Sequence, residues 1–326
     1  MKPGVRKDLG LRHFVGQRAL RLSAFDYIPP MLTPPPARFG HVALAGAPNA
    51  GKSSLLNALV GQRLAIVSPR AQTTRLPVIG LRTDGHRQIV FHDLPGLFDP
   101  GYLMQARMQA AGLAELARAD LILHLHPAAD APAPTFEQVA GLERPPAAPV
   151  LVVYTKGDLI SAARREELAR SRVVVSAKTG GGVDRLLERI EAELPEGAHQ
   201  FDADDVGTQP VRFFAGEYLR EAAFALLDEE LPYAFTAEVE EFREAERPVY
   251  IRVNLYVERE SQKRIVIGAG GKTIKAIGAQ ARERMEELLG APVYLDLWVK
   301  VLPHWRASGS ALTRFGFSDV PHTEVL

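Results

Sequence analysis

The stretch Gly46-Ala47-Pro48-Asn49-Ala50-Gly51-Lys52-Ser53 decides the reading of this chain. It has the form G-x-x-x-x-G-K-[ST] of a phosphate-binding P-loop. The apolar run His41-Val42-Ala43-Leu44-Ala45 before it reads as a buried strand, and Ser54-Leu55-Leu56-Asn57-Ala58-Leu59-Val60 after it carries apolar residues at helical spacing. Strand, glycine-rich turn and helix is the context the motif requires. Glycines let the backbone wrap a phosphate, and the N–H groups converge at a helix N-terminus whose dipole favours anions. Gly46, Pro48, Asn49, Ala50, Gly51 and Ser54 are expected to line the phosphates. Lys52 would reach the β- and γ-phosphates and the Ser53 hydroxyl would ligate Mg²⁺.

Outward from the loop, the chain alternates strand and helix patterns. Strands are expected at 40–45, 78–83, 87–92, 120–126, 149–155 and 172–176, and helices at 52–61, 102–117, 134–142, 161–169 and 182–194. Such alternation implies an α/β domain, a mostly parallel sheet with helices on both faces. The segments 78–83 and 87–92, joined by Thr83-Asp84-Gly85-His86, read as a hairpin.

Four further elements fall between or at the ends of these strands. Asp93-Leu94-Pro95-Gly96 follows an apolar strand; Asp93 there would hold the Mg²⁺ shell and the Gly96 N–H would sense a γ-phosphate. Ser68-Pro69-Arg70-Ala71-Gln72-Thr73-Thr74-Arg75 occupies the place of a switch loop, where the hydroxyl of Thr73 or Thr74 can join the Mg²⁺ shell once a γ-phosphate orders the chain. On residue types alone it is a polar loop. Thr155-Lys156-Gly157-Asp158 ends one strand and Ser176-Ala177-Lys178 another. Asp158 can accept two N–H bonds from a guanine edge, which adenine does not offer; the Lys156 stem can cover the base and the Ala177 N–H can meet O6. Each is unremarkable alone. Together they match the rule that open α/β sheets bind ligands at the carboxyl ends of their strands.

Composition sets the outer bounds. The 326 residues suggest two domains, 46% hydrophobic and 24% charged content is that of a soluble globular protein, and the net charge is zero. With no cysteine, disulfides, thiol nucleophiles and cysteine metal sites are excluded. No apolar stretch approaches the eighteen or so residues of a membrane span, and cytoplasm is the expected compartment. Residues 1–38 are basic and then proline-rich (Pro29-Pro30-Met31-Leu32-Thr33-Pro34-Pro35-Pro36) and are expected to be a disordered extension. A basic RNA-touching arm, an organelle-targeting peptide and a true start at Met31 are the other readings.

The ordered set GAPNAGKS, AQTTR, DLPG, TKGD and SAK resembles a translation-factor-class small GTPase, and GxPNxGKS with QTTR resembles the Era family of ribosome-assembly GTPases. The likeness continues past a polar linker at 196–209. Beyond it come a helix near 210–228, strands at 234–245 and 248–258, a short helix, Gly268-Ala269-Gly270-Gly271, a helix at 272–289 and a strand at 293–301. A G-x-x-G turn between two helices in an αββααβ order is the signature of a type II KH domain, which clamps about four single-stranded nucleotides. LPYAFTAEVEEF, VIGAGGKTIKAIG and APVYLDLWVKV (231–242, 266–278 and 291–301) resemble the KH domain of that family. Seven bases against three acids between Glu258 and Arg284 fit phosphate contact there, with Lys263, Arg264, Lys272 and Lys275 as candidates. Trp305 reads equally as a base-stacking or a packing residue, and His124 and His126 as satisfied core histidines.

The resemblance implies a GTPase domain over 39–195, a KH domain over 210–305 and a C-terminal tail over 306–326. It implies a GTP/GDP switch with Mg²⁺ held by Ser53, Thr74 and Asp93, hydrolysis dependent on Lys52, Thr74 and Gly96, and slow intrinsic turnover, since Leu97 stands where signalling GTPases carry a water-orienting Gln. Asn49 matches a potassium ligand of related GTPases. The implied partners are the 3′ end of small-subunit ribosomal RNA and the small ribosomal subunit, for a monomer in the cytoplasm or peripheral at the inner face of the cell membrane. Three positions depart from the family. Thr155 replaces the usual Asn and is expected to lose one or two hydrogen bonds of about 1 kcal/mol each. Ala269-Gly270 lacks the usual Lys, which Lys272 would replace. Leu94 stands for a Thr where only the backbone is needed. The competing readings are an RNA-binding assembly protein with a decayed nucleotide site, and a GTPase with another cargo.

Overall fold

The structure, a computed structural model, describes residues 35–319; the extension read at 1–38, with its alternative start at Met31, lies almost wholly outside them. A six-stranded sheet is built from β1 (Arg38–Ala45), β2 (Val78–Asp84), β3 (Arg87–Asp93), β4 (Leu121–Pro127), β5 (Val150–Thr155) and β6 (Val173–Val174). Its order is β2-β3-β1-β4-β5-β6. All neighbours are parallel except the β2–β3 hairpin. β1 is central, so Val42, Ala43, Leu44 and Ala45 are fully buried and the strand reads as continuous apolar sequence rather than as an alternation.

The helices of this part are α1 (Lys52–Val60), α2 (Leu103–Leu116), α3 (Phe136–Ala140), α4 (Ala162–Ala169) and α5 (Val183–Glu193). α5 shows why they dock: Val183, Leu186, Leu187 and Ile190 form one buried stripe on an otherwise charged helix. α3 is shorter than its sequence pattern, held between a Thr135–Gln138 capping box and a left-handed Gly141. β6 keeps only two of the expected five residues.

The segment after Leu194 is not a free spacer. Gln88, buried in β3, accepts from the backbone N–H groups of Gln200 and Phe201 and donates to the Phe201 carbonyl. Phe201 packs beside Phe39, and Gly207 bridges to Gly80 of β2. The chain then forms α6 (Val211–Leu226), α7 (Leu231–Ala234), β7 (Thr236–Arg243), β8 (Val249–Val257), α8 (Glu260–Ile267), α9 (Lys272–Leu289) and β9 (Val293–Val301). The second sheet has the order β7-β8-β9, antiparallel then parallel. α6 lies over the β7 side, α8 and α9 over the β9 side. Val249, Ile251, Val253, Leu255 and Val257 point inward from β8 to meet Ile277, Ala281 and Met285 of α9.

The described part of the expected C-terminal tail, residues 306–319, packs onto the rest of the chain. α10 (Gly309–Arg314) and Phe317 close a hydrophobic cluster with Trp305 and with Met104 and Met108 of α2. Arg107 of α2 donates to the carbonyls of Gly309 and Phe317, tying the same two segments.

Candidate nucleotide site and nucleic-acid interface

Parallel strands deliver β1, β3, β5 and β6 to one edge of the large sheet, and the loops leaving that edge carry the candidate residues. Between β1 and α1 the P-loop turns through Gly46 (φ 150°) and Gly51 (φ 90°). A Cβ on Gly46 would sit 2.4 Å from the Leu125 carbonyl oxygen, so only glycine fits that approach. Lys52 is buried and its Nζ donates to the carbonyls of Gly46 (3.1 Å) and Ala47 (3.0 Å), folding the loop back over its own side chain. Burial pulls its pKa down to about 8.

Ser53, Thr74 and Asp93 meet at one point. Asp93 Oδ2 accepts from Ser53 Oγ at 2.7 Å and Thr74 Oγ1 at 3.0 Å, and the two hydroxyls are 2.9 Å apart. Asp93 is fully buried and its Oδ1 has no partner. Burial pushes its carboxyl up to about 6, against the pull of Lys52 and the two hydroxyls. Two hydroxyl oxygens converging on an under-compensated carboxylate suit a divalent cation that takes oxygen ligands. Thr73 lines the same cavity but lends only its backbone carbonyl to a tertiary bond, so the structure selects Thr74 for the cluster. Gly96 closes the opposite wall, where a Cβ would lie 3.0 Å from Pro48.

Two adjoining cavities share Gly51, Ser54, Val67 and Lys156. One of about 400 Å³ is lined by Pro48, Asn49, Lys52, Ser53, Thr74 and Gly96. The other, about 780 Å³, is lined by Thr155, Asp158, Ala177 and Lys178. Within the second, Ser176 Oγ donates to Asp158 Oδ1 at 2.6 Å, and that bond holds the Asp158 carboxyl below its ordinary range. Thr155 supplies the join between the halves. Its buried hydroxyl donates to the Ala50 carbonyl at 2.6 Å, so the residue that departs from the family pattern keeps a bond between β5 and the P-loop. Asn49 adopts a left-handed φ of 61° and donates to the Pro69 carbonyl at 3.2 Å.

The loop that carries Thr74 is anchored on the small-sheet side by residues that motif reading left without a role. Arg75 is buried and donates to the carbonyls of Phe235 (2.8 Å), Tyr233 (2.9 Å) and Pro232 (3.1 Å) around α7. Its guanidinium lies 5.8 Å from the Trp305 ring centroid. Burial and the neighbouring Arg220 cation both disfavour its charge, so carbonyl dipoles and an aromatic face hold it. Arg220 of α6 donates to the Thr73 carbonyl at 2.7 Å, and Arg70 to the Leu227 carbonyl. The only sequence signal was that Arg75 closes the Gln-Thr-Thr-Arg run.

At the second sheet, Gly268-Ala269-Gly270-Gly271 links α8 to α9. A Cβ on Gly268 (φ 73°) would overlap Thr273 Oγ1 at 2.3 Å, which makes the first glycine obligatory. Ala269, Gly270, Arg264, Lys272 and Lys275 are exposed and Lys263 is half-buried, beside the N-terminus of α9. Trp305 is not among them. It is fully buried, its indole N–H donates to the Ala234 carbonyl at 2.9 Å, and stacking on a base is closed to it. The histidine pair also differs from expectation. His126 approaches the Asp130 carbonyl at 3.0 Å, but His124 is buried with both ring nitrogens unpartnered, against Phe136.

A P-loop nucleotide site built into an α/β sheet and followed by an αββααβ unit with a G-x-x-G turn defines a nucleotide-hydrolysing protein joined to a KH domain. A family model for 50S ribosome-binding GTPases matches residues 41–156, and one for KH domains matches residues 230–306. The chain is 41% identical over 278 residues to the GTPase Era of Thermotoga maritima, covering 82% of this chain and 93% of that one. It is 38% identical over 300 residues to that of Pseudomonas aeruginosa, covering 88% and 97%. A crystal structure of Era in complex with MgGDPNP and nucleotides 1506-1542 of 16S ribosomal RNA superposes with a TM-score of 0.80 at 36% identity, covering 86% of this chain and 99% of that one. A crystal structure of a variant of Aquifex aeolicus Era bound to GDP.AlF4- matches with the same TM-score at 35% identity and the same coverage. The chain belongs to the Era family of GTPases.

Proposed function

We propose that this GTPase is a slow nucleotide switch that holds the 3′ end of small-subunit ribosomal RNA on its KH domain and assists assembly of the small subunit. The observation that carries the reading is the Ser53–Thr74–Asp93 cluster, because it joins the P-loop, the switch loop and the end of β3 at one point. Mg²⁺ bound there would be held by Ser53, Thr74 and Asp93 and would neutralise charge on the phosphates. Lys52 and the P-loop N–H groups, with those of Gly96, bind and orient the phosphates; Asp158 reads guanine, with Lys156 and Lys178 flanking the base and Ala177 beneath its edge. Leu97 is buried and apolar and cannot orient water, which fits slow turnover.

Thr74 belongs to the nucleotide site while Thr73 and Arg75, on either side, are bonded to the KH side. Ordering of Thr74 by GTP therefore pulls on the bonds to α6 and α7. RNA would lie along Gly268–Gly271 with phosphates toward Lys272, Lys275, Arg264 and Lys263. A relative is known in complex with MgGDPNP and ribosomal RNA nucleotides, which supports the same pair of ligands here. Asn49 is the candidate K⁺ ligand; hydrolysis faster in K⁺ than in Na⁺ supports that role, and equal rates end it. No helix among the described residues is long and apolar enough to cross a membrane; we place the protein in the cytoplasm, as a monomer. The test is RNA affinity with GDPNP and with GDP. A clear difference is expected; identical affinities would refute the switch.

A further inference from the structure

The face of the small sheet turned away from its helices carries a set of residues that the nucleotide site and the G-x-x-G turn leave unused. Register places Arg243, Tyr250 and Tyr294 in one row across β7, β8 and β9, and Glu241, Arg252 and Asp296 in the next. Glu238, Asn254 and Trp298 form the third row, and Tyr256 and Lys300 lie opposite each other in the fourth.

The first row is a stack. The Arg243 guanidinium lies 4.7 Å from the Tyr250 ring centroid, and the Tyr250 and Tyr294 rings are 5.9 Å apart at 17°. Tyr294, the last member, is 56% exposed, so the column ends on an open aromatic plane. Trp298 is also 56% exposed. One carboxylate holds the edges of this group: Asp296 accepts from Tyr250 Oη (2.7 Å), Arg252 Nε (3.0 Å) and Trp298 Nε1 (2.9 Å). The Trp298 ring is thereby fixed by its polar edge, and Tyr294 is held by its stack on the anchored Tyr250.

The charge pattern chooses between occupants. Three carboxylates of the face are engaged, Glu238 by Arg314, Glu241 by Arg243 and Asp296 by Arg252, while Glu240, at the bulge of β7 on the far side of the sheet from β9, is exposed without an ion pair among the described residues. On β9 itself the one carboxylate, Asp296, is taken up, whereas Lys300 is exposed and has no ion-pair partner among the described residues. Open aromatic planes beside an unpaired cation fit single-stranded nucleic acid, whose bases stack without regard to sequence. Position agrees. β9 is the edge strand, and α8 and α9, with the G-x-x-G turn between them, lie on its side of the sheet. A strand leaving that turn across β9 meets Tyr294 and Trp298 first.

We propose that this face is a second subsite for single-stranded RNA, with bases stacking on Tyr294 and Trp298 and a phosphate at Lys300. It rests on the RNA reading above and extends it to the opposite side of the sheet.

The test uses the full chain with GDPNP and an RNA of 16S nucleotides 1506-1542. Trp298 and Trp305 are the only tryptophans, and Trp305 is buried, so quenching of tryptophan fluorescence by RNA reports on Trp298. The expected results are quenching in the wild type and its loss in Trp298→Phe. Tyr294→Ala and Trp298→Ala should each weaken binding roughly fivefold or more, as loss of one stacked base does. Trp298→Phe and Tyr294→Phe, which keep a ring, should bind within about twofold of wild type on the same grounds. RNA that binds the wild type without quenching, with unchanged affinity in both alanine variants, overturns the subsite and leaves the G-x-x-G reading standing; the face would then be free for a protein. If wild type and Gly270→Asp alike fail to bind, the RNA reading itself falls.

Discussion

Thr155 is the position at which this chain tests its own nucleotide site. Its hydroxyl is buried and donates to the Ala50 carbonyl at 2.6 Å, the shortest tie between β5 and the P-loop. Thr155→Val keeps the β-branched shape, and so the packing beside Gly51, where an added Cβ would lie 3.6 Å from Thr155, but removes the donor. A buried carbonyl left without its partner costs about 1–3 kcal/mol. Filling the nucleotide site does not repair the deficit, because phosphate oxygens accept hydrogen bonds and offer a carbonyl no donor. If the empty loop relaxes and hydrates the carbonyl, the whole cost appears in binding and affinity for GDP falls between about fivefold and about a hundredfold; if the carbonyl stays buried in both states, the cost falls on stability and the loss of affinity is small. Titration with fluorescent GDP measures it, and urea unfolding of the nucleotide-free protein measures the share that falls on stability. Thr155→Ser retains the donor and should bind as wild type. The reasoning is refuted if Thr155→Val matches wild type in both assays, or if Thr155→Ser is as weak as Thr155→Val, since shape and not the hydroxyl would then carry the role.

Asp93→Asn should abolish the Mg²⁺ dependence of nucleotide binding while stabilising the nucleotide-free protein at neutral pH. The Asp93 carboxyl, raised by burial from 3.8 to about 6, favours the fold below pH 4 and loses that contribution as pH rises to about 6, so its ionised form costs about 3 kcal/mol at pH 7; unfolding curves that coincide at pH 7 would contradict this. Arg75→Met leaves the carbonyls of Pro232, Tyr233 and Phe235 unpaired and should lower stability by about 2–3 kcal/mol, with RNA affinity no longer differing between GDPNP and GDP; a preserved difference would show that the coupling runs elsewhere. His124→Leu should stabilise by about 1–2 kcal/mol, as it removes two unpartnered buried nitrogens. Burial and the facing His126 lower the His124 pKa, against Glu137, so its contribution is present above pH 6.5 and lost as pH falls; the variant should lose less stability between pH 7 and pH 5, and parallel pH profiles would refute the assignment.

Motif order carried most of this site into view before any coordinates. Lys52, Ser53, Asp93, Asp158 and Ser176 were legible because phosphate, cation and guanine chemistry narrow the residue types at fixed points along the chain, and because successive parallel strands end on one edge. Trp305 was not legible. An aromatic near a chain end has the same local pattern whether it faces solvent or, as here, a cluster formed with α2 and α10. His124 was read as satisfied because alternation along β4 shows which face a side chain takes but not which polar groups wait there. The supposed linker misled for a related reason: its polar composition concealed the buried Gln88, whose amide is satisfied by that segment's backbone.

The sequence by itself determined the P-loop α/β class, the KH order and the residues able to meet a nucleotide, since those follow from local periodicity and from spacings that chemistry constrains. Only the tertiary structure decided that Thr74 rather than Thr73 joins the Asp93 cluster, that Thr155 ties its strand to the P-loop, and that Arg75 bonds the switch loop to the KH side. It also showed Tyr294 and Trp298 of β9 open to solvent. Those facts depend on which groups lie across from a side chain distant along the chain, from 19 residues for Thr74 and Asp93 to 160 for Arg75 and Phe235. Burial and partnership of that kind are set by packing, which no local pattern encodes.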